Sequence, residues 1–249
     1  MSRPIGVFDL ETTGTDVETD HIVTAFFGVL NGDGSLRFGW DLMVKPEGWT
    51  IPTEASDIHG VTTEHALEHG THTTEEVLTK LGSLIRLYCY EQRLPLVGHN
   101  LSYDLTLFDR EALRTFPNRP SRSVARLLEN VNILDTLVLD KGVDPYRKGK
   151  RTLTVTAEHY GVELTAEEAH GARADAIASG RILQALIPLP EVGGQSLIRL
   201  QELQREWKRE QAASLQKYLR TKADPPIPDA IVDPNWPFIP RAVEEGQYE

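Results

Sequence analysis

Asp9 and Glu11 are the residues of this sequence best suited to chemistry. They stand two apart in the largely apolar run 5–14, IGVFDLETTG. Because alternate side chains of a strand share a face, the two carboxylates are expected to project together. Burying such a pair is costly unless a cation neutralises it, and hard divalent cations bind carboxylate oxygens. The pair predicts a metal site if other segments supply ligands; two solvated acids at a strand end are the alternative.

Two later segments offer candidate partners for this pair. Asp104 begins a predicted helix, just after a short strand that leads into His99 and Asn100. Asp175 lies on an apolar helix face, where an unpaired carboxylate would be costly, and His170 precedes it by five residues. Singly, Asp104 could be a helix N-terminal acid and His170 a capping or surface histidine. Four acids that point one way at strand and helix ends instead predict one shared site.

An alternation of strands and helices must position these residues. The turn 31–34, NGDG, lies between two apolar runs and predicts a hairpin, so the first three strands should form an antiparallel meander. Helical periodicity then alternates with two short buried strands, which predicts an α/β fold with a mixed sheet flanked by helices. The polar segment 51–74 is expected to be irregular. We predict strands at 5–11, 22–30, 36–44, 94–98 and 132–136, and helices at 75–90, 104–115, 152–160 and 172–186.

A change of composition near residues 187–194 predicts a boundary between a main domain, 1–190, and a C-terminal extension, 191–249. Residues 195–220 should form one long helix with a narrow apolar seam. Six prolines, with Trp236 and Phe238, predict an extended segment with aromatic anchors over 224–240. The seam could bind a polymerase or a second copy of the chain, but packing on the main domain is the favoured interpretation.

Composition narrows the class of protein. The chain has 249 residues, a net charge of −11 and one cysteine, Cys89, which excludes an intramolecular disulfide. No run approaches the roughly 20 apolar residues of a membrane span, and a strand that begins near residue 5 is not expected to leave room for a secretory signal. We therefore expect a reduced, cytoplasmic protein that does not bind membranes. The acidic charge disfavours wrapping of duplex nucleic acid but is compatible with holding one strand end.

The acidic segments, taken in order, resemble the DEDDh group of 3′-to-5′ exonucleases, which have a ribonuclease H-like fold and include the proofreading epsilon subunit of bacterial DNA polymerase III. The first motif matches at 9–14 (DLETTG), the second at 99–104 (HNLSYD) and the third at 170–176 (HGARADA). The loop 58–62 (IHGVT) also resembles a family loop. The resemblance extends over about residues 4–187 and implies a five-stranded sheet, three antiparallel strands followed by two parallel ones.

The resemblance also implies a two-metal mechanism. Asp9, Glu11, Asp104 and Asp175 would hold two Mg²⁺ or Mn²⁺ ions, with Asp9 bridging them. His170 would take a proton from the attacking water, and the product would be a nucleoside 5′-monophosphate. The expected substrate contacts are Thr12, Thr13, Gly14, Thr15, His59, Asn100, Tyr103, Lys150 and Arg151. Of these, Lys150 and Arg151 could equally belong to a solvated loop, and Tyr103 could be a packed side chain.

Three functions remain open at this point. The first is a DNA exonuclease in proofreading or repair, and the second is an RNA-trimming enzyme with the same site. DNA is favoured, because the oligoribonuclease branch usually has methionine where this chain has Thr12. The third is a non-catalytic binding module, which the full set of acids and His170 disfavours. Zinc binding by His65, His69 and His72 is also disfavoured, since their segment offers no cysteine.

Overall fold

A mixed five-stranded sheet forms the centre of the computed structural model, which describes residues 3–119, 123–165 and 169–241. Spatially, the strands are arranged in the order β3-β2-β1-β4-β5. The first three are antiparallel, and β4 and β5 run parallel to β1. This is the predicted ribonuclease H-like arrangement. The strands are β1 (Ile5–Thr12), β2 (Ile22–Leu30), β3 (Leu36–Met43), β4 (Leu96–Gly98) and β5 (Ile133–Asp135).

The side-chain alternation of β1 divides the core into two layers. Phe8 and Leu10 pack on one side of the sheet, whereas Ile5 and Val7 pack on the other. Asp9 and Glu11 continue the Ile5/Val7 face. The first layer is covered by α3 (Thr74–Ile85), which continues as a π-helical segment (Arg86–Glu91), and by α4 (Leu101–Thr115). The second is covered by α8 (Ala172–Leu186), so the face that carries the two acids is the face that α8 covers.

Several short helices differ from the prediction. The segment 51–74 is not irregular: it contains α1 (Thr53–His59) and α2 (Thr63–His69). Polar residues here form helix caps rather than loops: Thr62 Oγ1 caps α2 by accepting a hydrogen bond from His65 N. The high content of threonine therefore made these short helices look like an irregular segment. α4 begins at Leu101, three residues before the predicted start. Also unpredicted are α5 (Val124–Leu128), α6 (Thr136–Val143) and α9 (Pro190–Gly193); α7 (Leu153–His159) lies where expected.

The long C-terminal helix α10 (Leu197–Thr221) packs on the edge of the sheet. Gln204 is fully buried: its Oε1 accepts from Asp135 N at 2.7 Å and its Nε2 donates to Ile133 O at 2.9 Å. An amide side chain thus supplies the hydrogen bonds that a further strand would give to β5. Beyond α10, Trp236 is buried in the main core. Residues of the predicted extension, such as Leu200 and Trp236, thus pack in the same core clusters as residues of the main domain.

No helix within the described ranges combines the length and apolar character that a membrane span requires.

Candidate active site

Three carboxylates converge where α8 crosses β1. Asp9, Glu11 and Asp175 each place a carboxylate oxygen within 4.8 Å of the others. Small residues make this approach possible. A Cβ on Gly180 would lie 2.5 Å from Leu30 Cδ1 and 2.7 Å from Val7 Cγ1, so only glycine lets α8 lie this close to the sheet. The close approach of α8 at Gly180 thus positions Asp175 over the acids of β1.

Asp104 flanks this group from the other side of β1. It is 5% exposed, and its Oδ1 accepts a hydrogen bond from Leu10 N at 3.2 Å. Asn100 adopts a left-handed conformation, with φ of 61°, immediately before α4. Its N–H donates to Asp135 Oδ1 at 3.0 Å, which fixes the turn that delivers Asp104. The fourth predicted carboxylate is therefore held by the backbone next to the three that converge.

Burial and mutual repulsion make these acids hard to ionise. Burial, followed by the charges of Asp175 and Asp104, raises the pKa of Glu11 to about 8. Burial likewise raises the pKa of Asp104 to about 8 and that of Asp175 to about 6. The pKa of Asp9 lies well above its ordinary value, first through burial and then through Asp104 and its other acidic neighbours. This concentration of negative charge calls for a cation.

The group fits a divalent metal ion. Asp175 Oδ1 is buried and has no hydrogen-bond partner in the protein, so this oxygen is available as a ligand atom. All the converging donors are carboxylate oxygens, the ligand type that Mg²⁺ and Mn²⁺ prefer. A buried, unbonded carboxylate oxygen is costly unless a ligand satisfies it.

His170 lies at the open side of the acids. It adopts a left-handed conformation, with φ of 67°, immediately before α8. Burial raises the pKa of Asp175, while the charge of the imidazole and the backbone N–H of His170 partly lower it, so the histidine lies close enough to influence the carboxylate. His170 is exposed and lines a cleft of about 680 Å³ together with Glu11 and His59. A substrate in this cleft would meet the histidine and the acids together.

The sequence matches a family described as Exonuclease (RNase_T) over residues 7–183. The chain belongs to this exonuclease family. That membership and the fold confirm the predicted resemblance to DEDDh exonucleases. A comparison with curated proteins finds no match.

Solved structures of exonuclease I share the fold. E. coli exonuclease I in complex with a dT13 oligonucleotide is 17% identical, with a TM-score of 0.61 over 76% of this chain and 42% of that one. The moderately thermophilic enzyme of Methylocaldum szegediense is 18% identical, with a TM-score of 0.58 over 87% and 46%. A zinc-bound form of the E. coli enzyme with single-stranded DNA is 17% identical, with a TM-score of 0.60 over 88% and 47%. The chain spans less than half the length of these proteins.

Hydrogen bonds from hydroxyl groups stabilise the loop that follows β1. Thr12 Oγ1 donates to Gly14 O at 2.8 Å and lies 2.8 Å from Tyr103 Oη, which also donates to Gly14 O. Burial raises the pKa of Tyr103 to about 12, so it remains a donor. Thr13 is buried, with its hydroxyl bonded to Asp20, whereas Thr15 is exposed. Thr12 and Tyr103 thus shape the loop, and Thr13 secures it from inside.

The two basic residues predicted to contact substrate are placed differently. The Arg151 guanidinium is 8% exposed and bonds Asp140 Oδ2 and Asp144 O, each at 2.6 Å. Arg151 neutralises Asp140, which is fully buried and requires a cationic partner, so the Arg151 charge is used within the protein. Lys150 is exposed and lines a smaller cleft beside Asn100. The sequence could not separate these neighbours, since the partner Asp140 lies on the unpredicted helix α6.

His59 lines the cleft, whereas the other histidines of the segment 59–72 lie outside it. His59 Nδ1 accepts from Val61 N at 3.2 Å, and burial lowers the His59 pKa, so the ring is neutral in the cleft. The rings of His65 and His69 lie 4.5 Å apart between centroids, in a tilted arrangement. Within the described ranges, neither these nor His72 belongs to a group of three metal-ligating side chains.

A pair formed by buried Glu111, which continues the second motif, and half-buried His21 lies behind the site, and this pairing was not predicted. Glu111 is 1% exposed; its Oε1 lies 2.7 Å from His21 Nδ1 and its Oε2 accepts from Ile22 N at 2.9 Å. His21 in turn stacks on Trp49 at 4.7 Å. This pair ties α4, which carries Asp104, to the start of β2. The position of Glu111, seven residues after Asp104 and hence on the same helix face, was the available signal.

Proposed function

We propose that this chain is a divalent-metal-dependent exonuclease that removes nucleotides from the 3′ end of DNA, on single-stranded or frayed ends, in proofreading or repair. The observation that carries the proposal is the convergence of Asp9, Glu11 and Asp175, where Asp175 keeps an unbonded oxygen, beside a cleft that Glu11 lines together with an exposed histidine. Family membership supports the reaction class.

Each part of the site has a role in this reaction. Asp9, Glu11, Asp104 and Asp175 would hold two Mg²⁺ or Mn²⁺ ions. Such ions, when bound, stabilise the attacking and leaving oxygens of an in-line displacement at phosphorus. His170 accepts the proton of the attacking water at an imidazole nitrogen, the role that a positioned histidine most often takes in proton transfer. The water oxygen bonds to phosphorus, the P–O3′ bond breaks, and a nucleoside 5′-monophosphate leaves.

The terminal nucleotide would contact the loop after β1 and the start of α4. Thr12 and Tyr103 hold Gly14 O inward, which leaves the Gly14 and Thr15 N–H groups and the exposed Thr15 side chain available to a substrate. His59 lines the same cleft and is close to the Thr12 backbone, and Asn100 precedes α4, which carries Asp104. These residues provide neutral donors around a strongly negative centre.

The preference for DNA is drawn from similar proteins and from Thr12. Exonuclease I structures contain dT13 and dA16 oligonucleotides. Because this chain is less than half as long as those proteins, the substrate must be tested directly. The test is to incubate 5′-labelled single-stranded DNA, matched RNA, and duplexes with paired or mismatched 3′ ends with Mg²⁺ or Mn²⁺.

We expect stepwise shortening of single-stranded DNA from the 3′ end, no shortening in EDTA, and no activity in Asp9→Asn. Asp229→Asn removes the same charge from an exposed position in the tail and should behave as wild type. Equal rates for wild type and Asp9→Asn would refute the assignment. Faster degradation of RNA would instead show that the enzyme is an exoribonuclease.

A further inference from the structure

A second cleft, of about 470 Å³, opens at the same edge of the sheet as the acids. It lies beyond the carboxyl ends of β4 and β5, and its walls include Asn100, Lys141 and Lys150. Parallel strands β1, β4 and β5 all end at this edge. Asn100 belongs both to this wall and to the turn that delivers Asp104. The cleft therefore adjoins the catalytic centre.

The two lysines of this cleft form no ion pair with an acidic side chain of the described residues, whereas Arg151, which also lines the cleft, pairs with Asp140. Lys141 is half-buried, and within the described ranges it forms no ion pair with an acidic side chain. Burial lowers the pKa of Lys141, and the positive charges of Lys208 and Arg151 lower it further. Such an environment destabilises an ammonium group that lacks an anionic partner. A bound anion would relieve this repulsion.

The acids nearest to Lys141 are already used elsewhere. Asp135 Oδ1 accepts from the N–H groups of Asn100 and Leu137, each at 3.0 Å. Asp140 is fully buried and bonds Arg147 and Arg151. Both carboxylates raise the pKa of Lys141 only partly against the opposing effects. In a chain of net charge −11, a cleft with unpaired lysines is a distinct local feature.

The walls of the cleft are fixed by hydrogen bonds. His99 Nδ1 lies 2.9 Å from Thr136 Oγ1, and His99 Nε2 lies 3.0 Å from Arg151 O. Burial lowers the pKa of His99, so the ring is neutral and bonds at both nitrogens. The segment that carries Lys150 is thereby held against the segment that carries Asn100. Lys141 and Lys150 thus line a cleft whose walls are held in place by hydrogen bonds.

We propose that Lys141 and Lys150 bind a phosphodiester group of the strand being degraded, on the 5′ side of the scissile bond. This inference rests on the proposed function. Because a 3′ exonuclease removes the last nucleotide, all other phosphates of the strand lie on the 5′ side of the bond that is cut. An acidic protein repels these phosphates, so cations beside the site give the strand a point of attachment.

Two substrates separate this cleft from the catalytic centre. One is a 5′-labelled 15-nucleotide single strand, and the other is the p-nitrophenyl ester of thymidine 5′-monophosphate, which has no upstream phosphate. For Lys141→Gln we expect kcat/KM on the oligonucleotide to fall about tenfold, mainly through KM, as for the loss of one charged hydrogen bond. Activity on the ester should equal that of wild type. Lys141→Arg should restore the oligonucleotide activity.

Salt dependence supplies a second readout and Lys217→Gln the matched control. Lys217 is an exposed cation near the end of α10, outside the cleft, and its variant should behave as wild type. The slope of log KM for the oligonucleotide against log salt should decrease by about 0.7 in Lys141→Gln, as for one lost contact with a single-stranded phosphate. Unfolding temperatures should be measured for all variants to confirm that each is folded.

The outcomes are distinguishable. If wild type cleaves neither substrate, the proposed function itself fails. If wild type cleaves both but Lys141→Gln affects them equally, or affects neither, the phosphate site is refuted while the exonuclease stands. If the defect occurs only with a paired 3′ end, the phosphate belongs to the complementary strand, and the assignment to the degraded strand is wrong.

Discussion

Two acidic sites in this molecule, one fully buried at Asp140 and one mostly half-buried around Asp9, are treated in opposite ways. Asp140 is completely buried, and the guanidinium groups of Arg147 and Arg151 and the hydroxyl of Tyr160 all bond it within 2.9 Å. Burial alone would raise the pKa of Asp140, but these hydrogen bonds outweigh it and lower the pKa. Asp9, Glu11, Asp104 and Asp175 have no arginine or lysine partner among the described residues, and their pKa values are raised. The fold gives Asp140 two arginine partners, whereas it leaves the acids around Asp9 to repel one another.

The difference separates stability from function. A structural acid is satisfied by the protein that surrounds it, because an unpaired buried charge destabilises the fold. Asp9, Glu11 and Asp175 have no arginine or lysine partner among the described residues, so a proton or a cation from solution must neutralise them. Perturbed pKa values at a cleft are a signature of functional sites, and here the contrast with Asp140 in the same protein serves as an internal reference.

The largest expected effect follows from removing a catalytic acid. Asp9→Asn should lower the rate of 3′ hydrolysis by at least about a thousandfold, because metal ions contribute several kcal/mol of transition-state stabilisation and about 1.4 kcal/mol is tenfold. The metal-free variant should be as stable as wild type or more so, since a repulsive charge has gone. Rates and urea unfolding in EDTA measure the two effects. A variant that is inactive because it unfolds would break the comparison.

The converse variant, Asp140→Asn, should act on stability. It breaks a buried ion pair with two arginines and should lower the free energy of unfolding by about 3 kcal/mol. At temperatures where the variant remains folded, the activity per folded molecule should stay within a few-fold of wild type. Circular dichroism melts and active-site titration with metal check this. A thousandfold loss of activity in folded protein would show that Asp140 has a direct catalytic role.

The general base is expected to give the next effect. His170→Gln should reduce kcat by about a hundredfold, the usual contribution of a positioned proton acceptor. Metal binding, followed by calorimetry, should be nearly unchanged, because His170 is not among the converging carboxylates. His69→Gln is the matched control, as His69 is exposed and outside the cleft. Equal losses in metal affinity and kcat would instead assign His170 to the metal site.

Much of the fold and the centre of the site could be predicted from the sequence. Strand β2 and helix α8 have the predicted bounds, because long apolar patterns of period 2 or 3.6 depend little on distant residues. The motif spacing brought Asp9, Glu11 and Asp175 to one place. Periodicity did not reveal α5 and α6, which are short and whose starts are set by caps such as Asp135.

Contacts between distant segments lay beyond the sequence. Arg151 and Lys150 are adjacent and both basic, yet only Arg151 has a buried partner, on α6. The edge of β5 is completed by Gln204, some seventy residues later, and a polar side chain within a narrow apolar seam gives no sign of this. Such pairings depend on how elements assemble, which local propensity does not determine.

The smallest expected effect is a difference in the pH dependence of stability without metal. The folded pKa of Glu11, about 8, lies above its unfolded value of about 4.3. The folded state therefore binds the proton more tightly, and stability falls as pH rises from about 4 to 8. Glu11→Gln should flatten this slope by about 1 kcal/mol per pH unit or less. Asp140 has a lowered pKa, so its contribution is present above pH 4, is lost only below it, and adds no slope in this window.

Urea unfolding in EDTA at pH 5, 6, 7 and 8 measures both slopes. Saturating Mg²⁺ should reverse the wild-type trend, because the ion binds the deprotonated acids. Equal slopes in wild type and Glu11→Gln would mean that the acids are neutralised within the protein, and the distinction from Asp140 would disappear.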